Sequence, residues 1–195
     1  MNNLTDQQAL LVFNHHLGGV FVLFMGSISL LEVLNSARYK RIGFLWPISL
    51  LVLGGYMILL SDLTAWPVGP LTLRESLADP MVLQHKTFAL ILLTLGVIDL
   101  LRRLGSLSAP GWQGAFYAIA LLPGVMLLAH STASPGQHHP AMQAVLFSHS
   151  LIGFLALVTL AAKVLVDIKV IMGYKAIVYP VLIFMLGLQL FLYTE

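Results

Sequence analysis

The sequence contains no cysteine. Disulfide bonds, thiolate nucleophiles, cysteine-ligated zinc and iron–sulfur clusters are therefore excluded, because each of them needs the cysteine sulfur. Any metal chemistry must use histidine, methionine or carboxylate side chains, or an exogenous cofactor. The sequence also lacks a phosphate-binding glycine loop, the H-E-x-x-H pattern and a serine-nucleophile motif. Neither nucleotide chemistry nor hydrolysis is indicated.

Charged residues are scarce as well, at 9% of the 195 residues, whereas hydrophobic residues make up 58%. The mean hydropathy is +0.91. A soluble domain carries about 25% charged residues, so this chain has too few to cover a water-facing surface. The net charge of +2 is too small to indicate nucleic-acid binding. We therefore predict an integral membrane protein whose main solvent is the lipid bilayer.

Six apolar stretches approach the length of about 20 residues that a helix needs to cross the bilayer. They cover residues 9–34, 43–60, 82–101, 114–128, 144–166 and 176–193. The connections at 35–41, 61–80, 102–111 and 130–140 are rich in basic residues or in Pro, Gly and Ser, and are predicted to be loops. The predicted fold is an all-α, six-helix transmembrane bundle that forms one integral membrane domain over residues 1–195.

The basic residues predict the orientation of the bundle. Six spans place alternate connections on opposite faces, and one face receives Arg38, Lys40, Arg41, Arg102, Arg103, Lys163, Lys169 and Lys175. Only Arg74 and Lys86 fall on the other face. Short basic loops stay in the cytoplasm. Both termini are therefore predicted to be extracytoplasmic, in a bacterial inner membrane.

All the histidines fall on the extracytoplasmic side of this topology: His15, His16, His85, His130, His138, His139 and His149. Ionisable residues inside a membrane are costly and indicate function, and imidazole is the commonest metal ligand in proteins. We predict that these histidines gather into a metal site on that side. The alternative is that each one hydrogen-bonds a neighbouring helix or reaches the interface separately.

Two further features refine the predicted site. Met81 precedes His85 by four residues, and Met142 follows His138 and His139 in the sequence HHPAM. Thioether and imidazole together suit copper, so these methionines join the predicted ligands. Neighbouring residues on a helix point about 100° apart. His15 and His16 therefore cannot both face one pocket squarely, and the sequence does not choose between them.

Two stretches resemble the copper-resistance D (CopD-type) membrane proteins. In LLAHSTASPGQHHPAMQAVLFSHSLIGFLALVTL, His130 ends a helix before small residues, and His149 lies in the next helix near Gly153. In DPMVLQHKTFALILLTLGVIDLLRR, Lys86 follows a helix start and two arginines close the helix. Phe154 follows Gly153 where the family has a Trp-Gly pair. The resemblance covers about half the chain, and it implies that copper is held or moved at the outer face of the inner membrane.

Three functions remain open at this point. The first is copper binding, transport or resistance, with His85, His130, His149 and one of His15 and His16 as the site. His138, His139 and Met142 would then form a lid, and a periplasmic carrier would be the partner. The second is a b-type haem cytochrome that transfers electrons, with His16 and His149 as axial ligands. The third is a structural subunit of a larger membrane complex.

Overall fold

A computed structural model describes residues 3–34, 38, 41–132 and 140–193, with side chains over 9–34, 38, 41–129 and 143–193. Within this part of the chain the secondary structure is entirely helical. The α-helices are α1 (Asn3–Leu34), α2 (Leu45–Leu60), α3 (Leu73–Ala78), α4 (Pro80–Arg103), α5 (Gly111–Thr132), α6 (Pro140–Asp167) and α7 (Val178–Phe191). Two 3₁₀-helices, η1 (Ile42–Phe44) and η2 (Gly173–Ile177), precede α2 and α7.

Six helical segments are long and apolar enough to cross a membrane, which confirms the predicted all-α fold and the number of spans. They are Ala9–Leu34, Ile42–Leu60, Pro80–Arg103, Gly111–Ala129, Gln143–Asp167 and Gly173–Phe191. Helix α5 continues through Pro123, as membrane helices allow. Large apolar side chains such as Leu90 and Phe147 are 59% and 69% exposed along these spans, and a bilayer would cover them. The chain is a multi-pass membrane protein.

The connection at 61–80 differs from the predicted loop because it contains α3. Thr72 caps this short helix: the Glu75 amide donates to Thr72 Oγ1 at 3.3 Å, and the Thr72 amide donates to Glu75 Oε2 at 2.8 Å. This reciprocal pair is a capping box, which satisfies amides that the first turn of a helix leaves unpaired. The T-L-R-E sequence carried that signal among the surrounding Pro and Gly residues.

Contacts divide the chain into two compact units. Unit 1 comprises residues 1–45 and 117–195, and unit 2 comprises residues 46–116. In unit 1, α7 packs against both α1 and α6. Its apolar core is formed by buried and partly buried side chains of these three helices: Val22, Ala162, Val166, Tyr179, Leu182 and Ile183.

Two glycines in unit 1 bring the histidine-bearing helices close to their neighbours. A Cβ atom on Gly19 would lie 2.5 Å from the backbone nitrogen of Phe191, so α1 and α7 can meet there only at glycine. A Cβ atom on Gly153 would lie 2.9 Å from the carbonyl oxygen of Gly124, so α6 meets α5 in the same way. Small residues allow this close packing in membranes. Gly19 lies one turn after His15, and Gly153 lies one turn after His149.

Candidate functional site

His15, His149 and Tyr193 form a cluster of rings in unit 1. The ring centroids of His15 on α1 and His149 on α6 are 6.0 Å apart. Tyr193, just beyond the end of α7, stacks on His15 at 3.9 Å with an interplanar angle of 17°. Its centroid is 5.9 Å from that of His149. Tyr193 is only 2% exposed, so three helices bring these rings together inside the protein.

The hydrogen bond of His15 indicates which ring nitrogen carries its proton. Nδ1 of His15 lies 2.8 Å from the carbonyl oxygen of Leu11, one turn earlier on α1. A carbonyl can only accept, so Nδ1–H is the donor. In the neutral ring the lone pair is then on Nε2. Metal-binding histidines commonly donate their second nitrogen to a backbone carbonyl in this manner.

His16 makes a different contact. Its Nε2–H donates to the carbonyl oxygen of Tyr193 at 3.0 Å, and its ring is tilted against Phe191 at 5.6 Å. Nε2 therefore carries the proton, and in the neutral ring the lone pair of His16 is on Nδ1. His16 ties α1 to the end of α7, whereas His15 approaches His149. The structure thus separates the two adjacent histidines that the sequence could not distinguish.

The predicted ligand set is only partly within the described side chains. His138 and His139 lie outside the described residues, and the side chains of His130 and Met142 also lie outside the described part. Among the residues that are described, no group of three or more His, Asp or Glu side chains is arranged to hold a metal ion. The arrangement in unit 1 is therefore a pair of imidazoles, His15 and His149, supported by Tyr193.

Unit 2 contains a separate polar cluster around His85. Its Nδ1–H donates to Oδ1 of Asp62 at 2.9 Å, and the hydroxyl of Ser61 lies 2.5 Å from Oδ2 of the same carboxylate. The Asp62 side chain is 7% exposed and the His85 side chain 19%. Nδ1 donation leaves the lone pair of neutral His85 on Nε2. A carboxylate behind a histidine is a common arrangement for metal ligands.

Lys86 completes this cluster. Its Nζ donates to the carbonyl oxygen of Ile58 at 2.7 Å and lies 3.8 Å from Oδ2 of Asp62. The ammonium therefore caps the C-terminal end of α2, where the helix dipole favours a cation. Met81 lies one turn before His85 and is 47% exposed. Its backbone amide donates to Oδ1 of Asp79, the side chain that caps the start of α4.

The charge state of Asp62 follows from these neighbours. Burial raises the pKa of its carboxyl, but hydrogen bonds from His85 and Ser61 and the positive charges of His85 and Lys86 outweigh that effect. Together they hold the pKa of Asp62 below its ordinary value. Asp62 is not among the site residues predicted from the sequence. The available signal was its position: it follows the second span directly, and the only two basic residues on its face include Lys86.

Comparison with known proteins adds no relative to this picture. No protein-family model, curated protein or solved structure matches the chain. The resemblance to CopD-type proteins therefore stays a prediction that rests on the residues quoted above.

Proposed function

We propose that this membrane protein binds copper and serves in copper transport or resistance, with His15 and His149 as ligands. The observation that carries the proposal is the 6.0 Å separation of these two rings, which come from different helices. An imidazole nitrogen binds a metal at about 2.0–2.1 Å, and two rings on one ion then have centroids about 5–6.5 Å apart. The observed separation falls within that range.

The available donor atoms favour copper among the metals that imidazole binds. The sequence places Met142 close to the predicted lid histidines, in HHPAM. Thioethers are soft ligands that select Cu(I), whereas zinc sites without cysteine use histidine and carboxylate. The described ring cluster consists of two imidazoles and one phenol. That composition supports a soft or borderline metal.

Tyr193 favours a single ion over haem in this cluster. A haem ligated by two histidines needs its macrocycle between the two rings. The ring of Tyr193 is already stacked on His15 at 3.9 Å and is almost fully buried, so a macrocycle would have to displace it. Haem ligation through Nε2 of His16 would also require His16 to give up its bond to the Tyr193 carbonyl.

The proposed location is a bacterial inner membrane, with the histidine-rich face in the periplasm. It is supported by the distribution of Lys and Arg among the connections, because short basic loops are retained in the cytoplasm. Copper would then be exchanged with a periplasmic carrier on the histidine-rich side. This orientation can be tested by cysteine labelling from outside the cell, since the natural sequence has no cysteine that would interfere.

The decisive experiment is a Cu(I) titration of the purified protein against a chromophoric chelator. We expect His15→Gln and His149→Gln each to weaken copper binding by at least about 100-fold, since outer-shell partners alone are worth about 10–100-fold. His16→Gln is the matched control, because it removes the neighbouring imidazole, whose ring contacts Phe191 and the carbonyl of Tyr193. It should retain stoichiometric copper. Loss of binding in His16→Gln alone would contradict the assignment.

The same sample distinguishes the other two functions. A visible spectrum with a Soret band that sharpens into α and β bands after dithionite would identify haem rather than copper. A folded sample that binds neither copper nor haem would leave the structural subunit as the function. Helical circular dichroism and a single elution peak are the checks that each variant is folded.

A further inference from the structure

The turn that joins α6 to α7, residues 168–175, exposes an unusual number of apolar side chains. The exposed fractions are 59% for Ile168, 66% for Val170, 63% for Met172 and 84% for Tyr174. Because this turn connects two membrane spans, it lies at a membrane boundary whichever way the bundle is oriented. Apolar groups exposed there are within reach of lipid.

A groove lies beside this turn. It has a volume of about 370 Å³ and is bounded by the end of α1, through Val33 and Leu34, and by Gly173, Tyr174 and Ile177 of η2. Leu34 and Tyr174, which line it, are 65% and 84% exposed, so the groove is an open apolar surface along which an acyl chain could lie. Its lining side chains are uncharged.

Two lysines stand on the same turn. Lys169 and Lys175 are both exposed, and Lys175 follows Tyr174 directly within η2. The turn that presents them is well formed, since the Val170 amide donates to Leu165 at 2.9 Å and the Lys169 backbone adopts a φ of 61°. Lys163 on α6, by contrast, lies 2.6 Å from Asp167. Within the described part of the chain, neither Lys169 nor Lys175 has a carboxylate within ion-pair distance.

We propose that this end of unit 1 binds one anionic phospholipid, with Lys169 and Lys175 at its phosphate and an acyl chain in the groove. Basic pockets beside membrane helices recognise anionic headgroups in this way. The charge of the two lysines matches the phosphate, and the uncharged lining of the groove matches the acyl chain. The site is separate from the copper ligands and does not depend on the proposed function.

The test is native mass spectrometry of the chain in a neutral detergent, titrated with dioleoyl phosphatidylglycerol or, separately, with dioleoyl phosphatidylcholine. Wild type should bind one phosphatidylglycerol more tightly than phosphatidylcholine. A basic residue near an anionic headgroup is worth about five-fold in affinity, so Lys169→Gln combined with Lys175→Gln should lose about 25-fold for phosphatidylglycerol. Phosphatidylcholine binding should change little.

Two further variants make the result specific. Arg74→Gln removes an exposed cation from the 61–80 connection and should leave phosphatidylglycerol binding unchanged. Val33→Trp fills the groove while it keeps both lysines, and it should weaken both lipids. Both variants should give the circular dichroism spectrum of wild type.

Three outcomes would overturn the proposal. One is equal affinity of wild type for the two lipids, and another is unchanged phosphatidylglycerol affinity in the double lysine variant. The third is displacement of the lipid by millimolar glycerol phosphate, which would mean that the lysines bind a free phosphate without use of the groove. Weakening of phosphatidylglycerol binding by salt would support the proposal, because ions screen exposed charges.

Discussion

Gly18 and Gly19 offer the sharpest test of how the ring cluster is built, because they are adjacent on α1 and differ in what surrounds them. A Cβ atom on Gly19 would lie 2.5 Å from the Phe191 backbone nitrogen and 2.8 Å from its Cα atom. A Cβ atom on Gly18 would meet nothing within 4 Å. Gly19→Ala therefore overpacks the contact between α1 and α7, and Gly18→Ala does not.

The expected size of the effect follows from these distances. Carbon atoms in contact lie about 3.5–4.0 Å apart, so α1 and α7 must separate by roughly 1 Å to accept the methyl group of Gly19→Ala. Overpacking of this kind typically costs about 1–3 kcal/mol. Gly18→Ala instead gains helix propensity, worth about 0.5–1 kcal/mol. The two variants should thus move the free energy of unfolding in opposite directions.

The same separation should disturb the ring cluster. Tyr193 follows Phe191 by two residues and stacks on His15 at 3.9 Å, so a shift of α7 changes the position of the ring that supports the two imidazoles. We expect Gly19→Ala to weaken Cu(I) binding, while Gly18→Ala binds copper like wild type.

Equilibrium unfolding in mixed micelles with increasing sodium dodecyl sulfate, followed by far-ultraviolet circular dichroism, measures the free energies. The Cu(I) titration measures the second effect on the same preparations. Equal stabilities for Gly18→Ala and Gly19→Ala would refute the close approach of α1 and α7. A destabilised Gly19→Ala protein with unchanged copper affinity would keep the packing argument and reject the link to the site.

Three other predictions concern unit 2 and are measured by unfolding. The pKa of Asp62 is lower in the folded protein than in the unfolded chain. The contribution of Asp62 to stability is therefore complete above the unfolded pKa of about 3.9 and is lost as the pH falls through the folded pKa. Asp62→Asn should flatten this acid dependence of the free energy of unfolding, and an unchanged pH profile in that variant would contradict the prediction. Lys86→Met should destabilise the protein because it removes the ammonium that lies 3.8 Å from the buried Asp62 carboxylate. The cost should stay below the roughly 3–5 kcal/mol of a fully unpaired buried charge, since His85 and Ser61 still bond the carboxylate. It should shrink further when Asp62→Asn is also present, and additive costs would reject the pair. Thr72→Ala should lower the free energy of unfolding by about 0.5–2 kcal/mol, because it removes the cap of α3. Copper affinity should not change. An unchanged free energy of unfolding would show that the capping box is dispensable.

Much of the fold was predictable from the sequence because it depends on local composition. The length of each apolar stretch determines whether a helix can cross the bilayer, and the six spans agree with the structure to within a few residues. The short helix α3 was not predicted, because its capping box lies among Pro and Gly residues that indicate a loop. Its formation depends on two hydrogen bonds between Thr72 and Glu75.

The candidate site was predictable only in part. His15, His16, His85 and His149 could be identified as candidates, because an ionisable residue in an apolar stretch is conspicuous in one dimension. The sequence does not show which of these histidines contact one another. The choice of His15 over His16 depends on the rotation of α1 about its own axis, and the role of Tyr193 depends on α7 packing against α1 at Gly19.

One physical difference explains why the sequence predicts the spans but not the contacts of the site. Membrane insertion depends on the sum of side-chain transfer free energies along a continuous segment, and this sum can be computed from consecutive residues of the sequence. A site depends on contacts between side chains that are distant in the chain, such as Asp62 with His85 and His16 with Tyr193. These contacts depend on how the helices rotate about their own axes and pack against one another.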